Sequence, residues 1–335
     1  MRATTFAPGS VGNVGPGFDV LGLAVEGIGD RVTVELANES RVTVRGRDAA
    51  LVPAEPERNC AAIAARAYLR ERGLPDAVHV TVEKGLALSG GMGGSAASSV
   101  AAAWAAHLVA EVANPGAGDV ARQGKDAAAP AGSASRDAAR DAPEGVRKRV
   151  LAAALAGEAA VAGRHLDNVA ASLLGGLTLS RSVDPIDVIA LPVAADWWVA
   201  LATPAVRVET RQARAVLPER SERAAWVRQM ANSAALVHAF AAGDGALLSR
   251  ALDDGYAEPA RSPAIPGFAA VKSAAIAAGA FGGSISGAGP TVFAIAPDER
   301  AARRCAEAMR AAFVEAGVES ALHAGSIARQ GVRRA

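Results

Sequence analysis

The 335-residue sequence has very few cysteines and almost no net charge, and each shortage excludes a class of protein. Its two cysteines, Cys60 and Cys305, lie far apart in apolar stretches and belong to no Cys-x-x-Cys or Cys/His cluster. We therefore expect neither a structural zinc site nor a disulfide framework. Thirty-five basic residues against thirty-four acidic ones leave a formal charge of +1. That balance gives no basis for binding nucleic acid or a membrane surface.

Long hydrophobic runs are also missing. The first ten residues, MRATTFAPGS, contain no apolar segment of the kind that a signal peptide needs. The longest apolar stretch, near 100–110, is mostly alanine and is interrupted by His107 and Glu111, so it falls short of a membrane span. With 51% hydrophobic and 21% charged residues the composition is that of a globular protein, which we expect to be cytoplasmic.

Residue periodicity predicts a mixed α+β fold. Strands are predicted at 31–37 and 41–45, joined by a hairpin turn at 38–40, because polar residues alternate there with β-branched ones. Asn59 begins a predicted helix that continues to residue 72. The other predicted elements are strands at 77–83, 187–193, 197–203 and 320–327 and helices at 95–112, 146–162, 221–241, 267–279 and 299–316. Strands and helices mix without a strict strand–helix repeat, which favours two lobes over a doubly wound sheet.

We place the lobes at residues 1–180 and 181–335. Within the first lobe, residues 115–145 break every periodic pattern and contain almost no large apolar side chain. A segment of this composition cannot bury enough surface to offset its ordering entropy. We predict a surface insertion there, mobile or loosely helical, and assign it no function.

A glycine-rich stretch, SGGMGGSAASS at 89–99, lies between a predicted strand and a predicted helix. Glycine lets the backbone approach a ligand, and the first N–H groups of a helix attract anions, so the stretch indicates phosphate binding. The alternative is an ordinary glycine turn. A Walker A loop is excluded because no lysine precedes Ser95, and a dinucleotide site is disfavoured because the nearest suitably spaced acid, Glu111, lies in the same helix.

Three stretches together resemble the signature motifs of the GHMP small-molecule kinases, which act on galactose, homoserine, mevalonate and phosphomevalonate. They are APGSVGNVGPGFDVLGLAV at 7–25, the glycine-rich stretch, and GGSISGAGPTVFAI at 282–295. Three stretches further resemble the members of the family that act on homoserine: the motif at 7–25, HLDNVAASLLGGL at 165–177, and ETRQARAVLP at 209–218. The resemblance runs from residue 3 to about 327, apart from the insertion. It implies a ribosomal-S5-like first lobe, a ferredoxin-like second lobe and an active site between them.

The resemblance also implies where ATP and Mg²⁺ bind. The residues that match the family's ATP loop are Leu88, Ser89, Gly90, Gly91, Met92, Gly93, Gly94 and Ser95. Ser95 and Glu158 match positions that hold the magnesium ion. The chain departs from the family pattern at Ala87, usually proline, and at Gly94, usually serine. The second change removes one phosphate or metal contact.

For a zwitterionic hydroxy amino acid, the resemblance assigns Asp19 to the ammonium group, with Asn13 nearby, and Arg214 and Arg261 to the carboxylate. It places His165 in the same pocket.

The catalytic step has two possible descriptions: Asp167 acts as a base, or Asn168 orients the substrate hydroxyl and no side chain acts as a base. The expected reaction is ATP-dependent phosphorylation of L-homoserine, for threonine biosynthesis. The alternatives are a mevalonate-type kinase and a relative that binds ligands without turnover. The family is often dimeric, and we expect no nucleic-acid or membrane partner.

Overall fold

The computed structural model describes residues 1–114 and 139–335 and confirms an α+β fold. The strands are β1 (Arg2–Gly12), β2 (Leu21–Leu36), β3 (Arg41–Gly46), β4 (Val78–Lys84), β5 (Leu177–Val183), β6 (Ile186–Leu191), β7 (Trp198–Pro204), β8 (Gly282–Ile285), β9 (Val292–Ala296), β10 (Ser320–Ser326) and β11 (Arg333–Arg334). The helices are α1 (Cys60–Glu71), α2 (Gly94–Ala113), α3 (Glu144–Ala159), α4 (Asp167–Leu174), α5 (Thr210–Ala215), α6 (Arg223–Ala242), α7 (Gly245–Ala251), α8 (Ala257–Arg261), α9 (Phe268–Ala277) and α10 (Glu299–Glu315).

The first sheet has seven strands in the order β11-β1-β2-β4-β3, with β5 paired to β2 and β6 paired to β5. Helices α2 and α4 pack on β1 and β2, and α1 and α3 pack on α2. Because α2 is enclosed by the sheet and these helices, its side chains are buried from Ala96 to Ala110. Helix α2 is long and apolar enough to cross a membrane, but 83% of its apolar window is buried inside the protein, as in the core helix of a globular domain.

The hairpin predicted at 38–40 is wrong. Strand β4 lies between β2 and β3, antiparallel to β2 and parallel to β3. A turn signal shows that the chain reverses but not which strand becomes its neighbour. Strand β4 takes the central position because Val78, Val80 and Val82 are all buried, whereas β3 carries Arg41 and Arg45 and suits a solvent-facing edge.

The second sheet has four strands in the order β10-β7-β9-β8. Helices α9 and α10 cover one face, where Phe268, Met309 and Phe313 are buried. The other face packs on α6 through Phe240, which lies 5.2 Å from the Trp197 ring. Both sheets therefore have an apolar core of their own on at least one face.

The sheets are not contiguous halves of the chain. The division predicted between residues 180 and 181 falls inside β5, and both β5 and β6 belong to the first sheet. Strand β11 also returns to that sheet and pairs with β1 through Thr5 and Phe6. As a statement about folding units, the division into two lobes stays a prediction.

Most of the predicted insertion, 115–138, lies outside the described residues. In its last part, 139–145, the residues are mostly exposed and partly helical, in keeping with a loosely helical surface segment, and Ala139 is the exception. Ala139–Asp141 forms a single 3₁₀ turn in which Ala139 is fully buried, and α3 already begins at Glu144. The Ala139 N–H donates to the carbonyl of Val332, which ties this turn to the other end of the chain.

Candidate active site

The glycine-rich stretch forms the connection from β4 to α2. Ser89, Gly91 and Gly93 all have positive φ angles of 53–79°, and Gly93 immediately precedes the first turn of α2. A side chain at Gly91 would place its Cβ 2.5 Å from the Ser286 carbonyl oxygen, so this glycine is required by close approach as well as by its φ angle. The loop therefore presents bare backbone at the N-terminus of a 20-residue helix, a geometry that attracts phosphate.

The third motif holds this loop in place from the second sheet. Ser286 Oγ donates to the Gly91 carbonyl at 2.7 Å, and Thr291 Oγ1 donates to the Gly90 carbonyl at 2.5 Å. Met92 is the one predicted loop residue whose side chain is buried away from the cleft, where its Sδ contacts Ser286 Oγ at 3.5 Å. Met92 thus anchors the loop to the protein interior.

The first motif forms a strained turn that reaches the third motif. Asn13, Val14 and Asp19 adopt left-handed φ angles of 69°, 49° and 58°, which non-glycine residues rarely adopt. The Asn13 amide holds this turn, since its Nδ2 donates to the Gly287 carbonyl at 3.0 Å and its Oδ1 accepts from the Asp19 N–H at 3.1 Å. Strain at this turn is compensated by contacts that span both sheets.

Opposite charges meet at one end of the cleft. Arg214, on α5, donates to both carboxylate oxygens of Asp19 at 2.8 and 2.9 Å. Arg261, at the end of α8, is only 5% exposed and donates to the carbonyls of Ala213 and Gly287 at 3.0 and 2.8 Å. The site therefore offers one carboxylate and two guanidinium groups, the set that would recognise a zwitterion.

His165 and Asp167 form an ion pair at the start of α4. The Nδ1 of His165 lies 3.3 Å from Oδ1 of Asp167, and the other oxygen of Asp167 accepts from the Asn13 N–H at 3.2 Å. Burial alone would lower the pKa of His165, but the adjacent Asp167 and the charge of Glu158 raise it to about 9. Burial alone would raise the pKa of Asp167, but His165 and backbone N–H groups hold it below its ordinary value. At neutral pH the pair is imidazolium and carboxylate.

Asn168 projects into a space that glycines keep open. A Cβ at Gly12 would lie 2.6 Å from Asn168 Nδ2, and a Cβ at Gly93 would lie 2.7 Å from Asn168 Oδ1. Ser10 Oγ donates to that Oδ1 at 2.9 Å. With its oxygen engaged, the amide offers a ligand chiefly its NH₂ group.

Glu158, near the end of α3, is a buried carboxylate in the same cleft, and it is only 2% exposed. Within residues 1–114 and 139–335 its Oε2 has no hydrogen-bond partner, and the Ser95 hydroxyl lies within reach of the carboxylate. Burial raises its pKa against the opposing charge of His165. An orphaned carboxylate oxygen beside a hydroxyl is a donor pair that suits a magnesium ion.

Sequence reasoning missed a buried cluster beneath the glycine-rich loop. Lys84 pairs with the fully buried Asp30 and donates to the Gly94 carbonyl at 3.0 Å and to Ser98 Oγ at 3.2 Å. Asp30 Oδ1 also accepts from the N–H groups of Gly85 and Leu86. The signal was present in the alternation of the strands: Lys84 is in phase with the buried valines of β4, and Asp30 is in phase with Val32 and Val34 of β2.

These groups line one cleft with a volume of about 1170 Å³, including its open mouth. Every predicted site residue except Met92 lines it. Val52, Pro53, Arg58, Asn59 and Cys60 also line the cleft, and Cys60 Sγ lies 3.7 Å from the Ser95 carbonyl oxygen. The structure therefore brings the predicted residues together, while their individual roles stay predictions.

The ion pair of His165 gives the protein a pH-dependent stability. Because folding raises the pKa of this imidazole from 6.5 to about 9, its stabilisation is complete below pH 6.5 and is lost as the pH rises through about 9. We expect the free energy of unfolding to fall over this range by up to about 3 kcal/mol more in the wild type than in His165→Gln. Urea unfolding at a series of pH values measures the difference. His238→Gln, an exposed histidine on α6, is the control, and parallel curves for wild type and His165→Gln would contradict the assignment.

Comparison with known proteins places the chain in a family. The model of the GHMP kinases N terminal domain matches residues 59–139, and that of the GHMP kinases C terminal matches residues 236–315. The crystal structure of L. major mevalonate kinase in complex with R-mevalonate, 12% identical, has the same fold with a TM-score of 0.64 and covers 96% of this chain and 94% of its own. The chain belongs to the GHMP kinases.

Relatives of higher similarity define its place within that family. The homoserine kinase of Xanthomonas campestris pv. campestris is 38% identical over 323 residues, which are 95% of this chain and 89% of that protein. The homoserine kinase of Chloroherpeton thalassium is 34% identical and covers 99% of both chains. The crystal structure of homoserine kinase from Cytophaga hutchinsonii is 34% identical with a TM-score of 0.83, over 99% of this chain and 96% of that one. Within the GHMP kinases, the chain belongs with the homoserine kinases.

Proposed function

We propose that the protein transfers the γ-phosphoryl group of ATP to the side-chain hydroxyl of L-homoserine, giving O-phospho-L-homoserine and ADP for threonine biosynthesis. The observation that carries this proposal is that one cleft is lined both by a glycine-rich loop at a helix N-terminus and by Asp19, Arg214 and Arg261. The first feature suits a polyphosphate. The second suits an amino acid, since mevalonate has no ammonium group for Asp19 to bind.

ATP binds with its phosphates along residues 88–95. Backbone N–H groups and the positive end of α2 offset the phosphate charge. The side chain of Lys84 supports this arrangement because its bond to the Gly94 carbonyl holds that oxygen toward the buried cluster. Gly94 itself contributes no hydroxyl, so its contact with the nucleotide is limited to the backbone.

Homoserine replaces the ion pair between Asp19 and Arg214. The side chains of Asp19 and Arg214 are 33% and 42% exposed, so both can exchange their partner for one on the substrate. The substrate ammonium then pairs with Asp19, and its carboxylate pairs with Arg214 and the buried Arg261. This exchange keeps each charge neutralised and selects for a ligand that carries both signs.

The hydroxyl is oriented by Asn168 without a side-chain base. The low pKa of Asp167 makes it a poor proton acceptor, and its oxygens are directed to Asn13 and His165. The Asn168 NH₂ group donates to the substrate oxygen, which attacks the γ-phosphorus as the bond to the β-phosphate oxygen breaks. The hydroxyl proton passes to the transferred phosphoryl group. Positioning and charge neutralisation account for catalysis in this arrangement.

Mg²⁺ would be held by Ser95 and Glu158, whose orphaned oxygen fits that role. In the described residues no group of three or more His, Cys, Asp and Glu side chains could hold a metal, so phosphate oxygens and water complete the ligand set. When bound, the ion supplies charge neutralisation for the phosphates.

The test is ADP release with ATP and Mg²⁺ present, comparing L-homoserine, L-threonine, L-serine and mevalonate. We expect turnover that is selective for L-homoserine. Turnover of mevalonate alone would overturn the substrate assignment. Binding of ATP and homoserine without turnover would indicate an idle relative, and Ala87→Pro and Gly94→Ser are the variants to examine for restored activity.

A homodimer stays a prediction of the family resemblance, and a cytoplasmic location stays a prediction of the composition and of the first ten residues. Light scattering on the purified protein measures the mass in solution and tests the first of them. Fractionation of cells tests the second.

A further inference from the structure

The aromatic ring of Phe18 lies against both guanidinium groups of the site. The Cζ of Arg261 is 5.2 Å from the ring centroid, and the Cζ of Arg214 is 5.7 Å from it. Both distances are within the range in which an aromatic face attracts a cation. Phe18 directly precedes Asp19, so the residue that pairs with Arg214 and the ring that contacts it are adjacent in the chain.

The two arginines need such a contact because their charges repel. Arg214 is neutralised by Asp19, but within residues 1–114 and 139–335 no carboxylate lies within 4 Å of the Arg261 guanidinium as an ion-pair partner. Burial and then the charge of Arg214 lower the pKa of Arg261. The face of the Phe18 ring attracts both cations without adding a negative charge that would compete with a substrate carboxylate.

The ring is itself fixed. Tyr256 meets it edge-on, with the centroids 5.1 Å apart and the planes at 74°. The Tyr256 hydroxyl donates to the Pro218 carbonyl at 3.2 Å, on the connection that carries α5 and Arg214. Phe18 is therefore held between the segments that supply the two arginines.

We infer that Phe18 is a positioning residue that sets the spacing of the two guanidinium groups receiving the substrate carboxylate. This inference rests on the proposed function. It assigns a role to a side chain that has no polar atom and acts through its ring face.

The test compares Phe18→Leu with Phe18→Tyr by steady-state kinetics on two substrates. The first is L-homoserine, and the second is the amino diol in which a hydroxymethyl group replaces its carboxylate. For Phe18→Leu we expect the KM for L-homoserine to rise roughly tenfold, with kcat and the KM for ATP nearly unchanged. Phe18→Tyr keeps the ring and should restore the wild-type KM. For the amino diol, kcat/KM should be the same in all three proteins.

The matched control is Phe6→Leu. Phe6 carries the same kind of contact, with Arg333 Cζ 4.7 Å from its ring, but Arg333 does not line the cleft as Arg214 and Arg261 do, so the loss of the Phe6 ring should leave the homoserine KM unchanged. An unchanged KM in Phe18→Leu, or equal losses on both substrates, overturns the inference. A wild-type protein that does not phosphorylate homoserine instead overturns the proposed function, so the two failures are distinguishable.

Discussion

Arg261→Met should raise the KM for L-homoserine by about 100- to 1000-fold. Arg261 is a buried residue, only 5% exposed, so its bonds to a bound carboxylate are shielded from water. Hydrogen bonds between charged groups contribute about 1.5–3 kcal/mol each, and two of them account for a change of this size. The KM for ATP should change little because Arg261 is not part of the glycine-rich loop. Initial rates of ADP release over a range of homoserine concentrations measure the effect.

The controls separate the carboxylate contact from general damage. Arg310→Met removes a guanidinium that is exposed on α10 and should leave the kinetics unchanged. Arg261→Lys keeps the charge but loses the fork that bonds Ala213 and Gly287 at the same time, so it should restore only a small part of the affinity. A homoserine KM within twofold of wild type in Arg261→Met would refute this binding role.

Glu158→Gln should almost abolish turnover and at the same time stabilise the protein. Among the residues that the structure describes, one oxygen of this buried carboxylate has no hydrogen-bond partner, and leaving a buried polar atom unpaired costs about 1–3 kcal/mol, more when it is charged. Because burial raises its pKa, this cost develops as the pH rises from the ordinary pKa of a glutamate to the raised one and is constant above it. The neutral amide relieves it, so we expect a rise of about 1–2 kcal/mol in the free energy of unfolding. We expect kcat to fall at least 100-fold because the amide binds Mg²⁺ poorly.

Two measurements on each protein test this pair of effects. Thermal unfolding without ligands should give a higher Tm for Glu158→Gln than for wild type, and addition of Mg²⁺ with ATP should raise the Tm of the wild type more. Glu144→Gln, exposed at the start of the same helix, is the matched control and should change neither activity nor Tm appreciably. A variant that is less stable than wild type would show that the carboxylate is satisfied in the fold.

The sequence allowed prediction of the features that depend on local pattern. Asn59 was predicted to begin α1, and its side chain accepts hydrogen bonds from the N–H groups of Ala61 and Ala62. The glycine-rich loop could be placed between β4 and α2 for the same reason: the residues that specify each end are adjacent in the chain. Three motifs far apart in sequence could be assigned to one site only through resemblance to a family, since no local rule says that residues 13, 168 and 287 meet.

Other features depended on long-range contacts. Strand β4 lies between β2 and β3, paired along both of its edges. Which strand takes such a central position depends on its burial in the folded protein, and a turn signal carries no information about that. The pairing of Asp19 with Arg214 was also not predicted, because each was assigned to a different end of the substrate. That pairing depends on the positions of the turn after β1 and of α5 in the fold, which no local pattern of the sequence specifies.

The pairing of β1 with β11 has a consequence for synthesis of the chain. The outer edge of β1 acquires its partner only when residues 333 and 334 have been made, and Val332, which is fully buried, arrives at the same time. Throughout elongation a nascent chain therefore exposes an unpaired sheet edge at its beginning, the kind of edge to which another strand can add. Termination of synthesis before residue 333 would leave that edge without β11, so a truncated chain would present its first strand to the strands of other molecules.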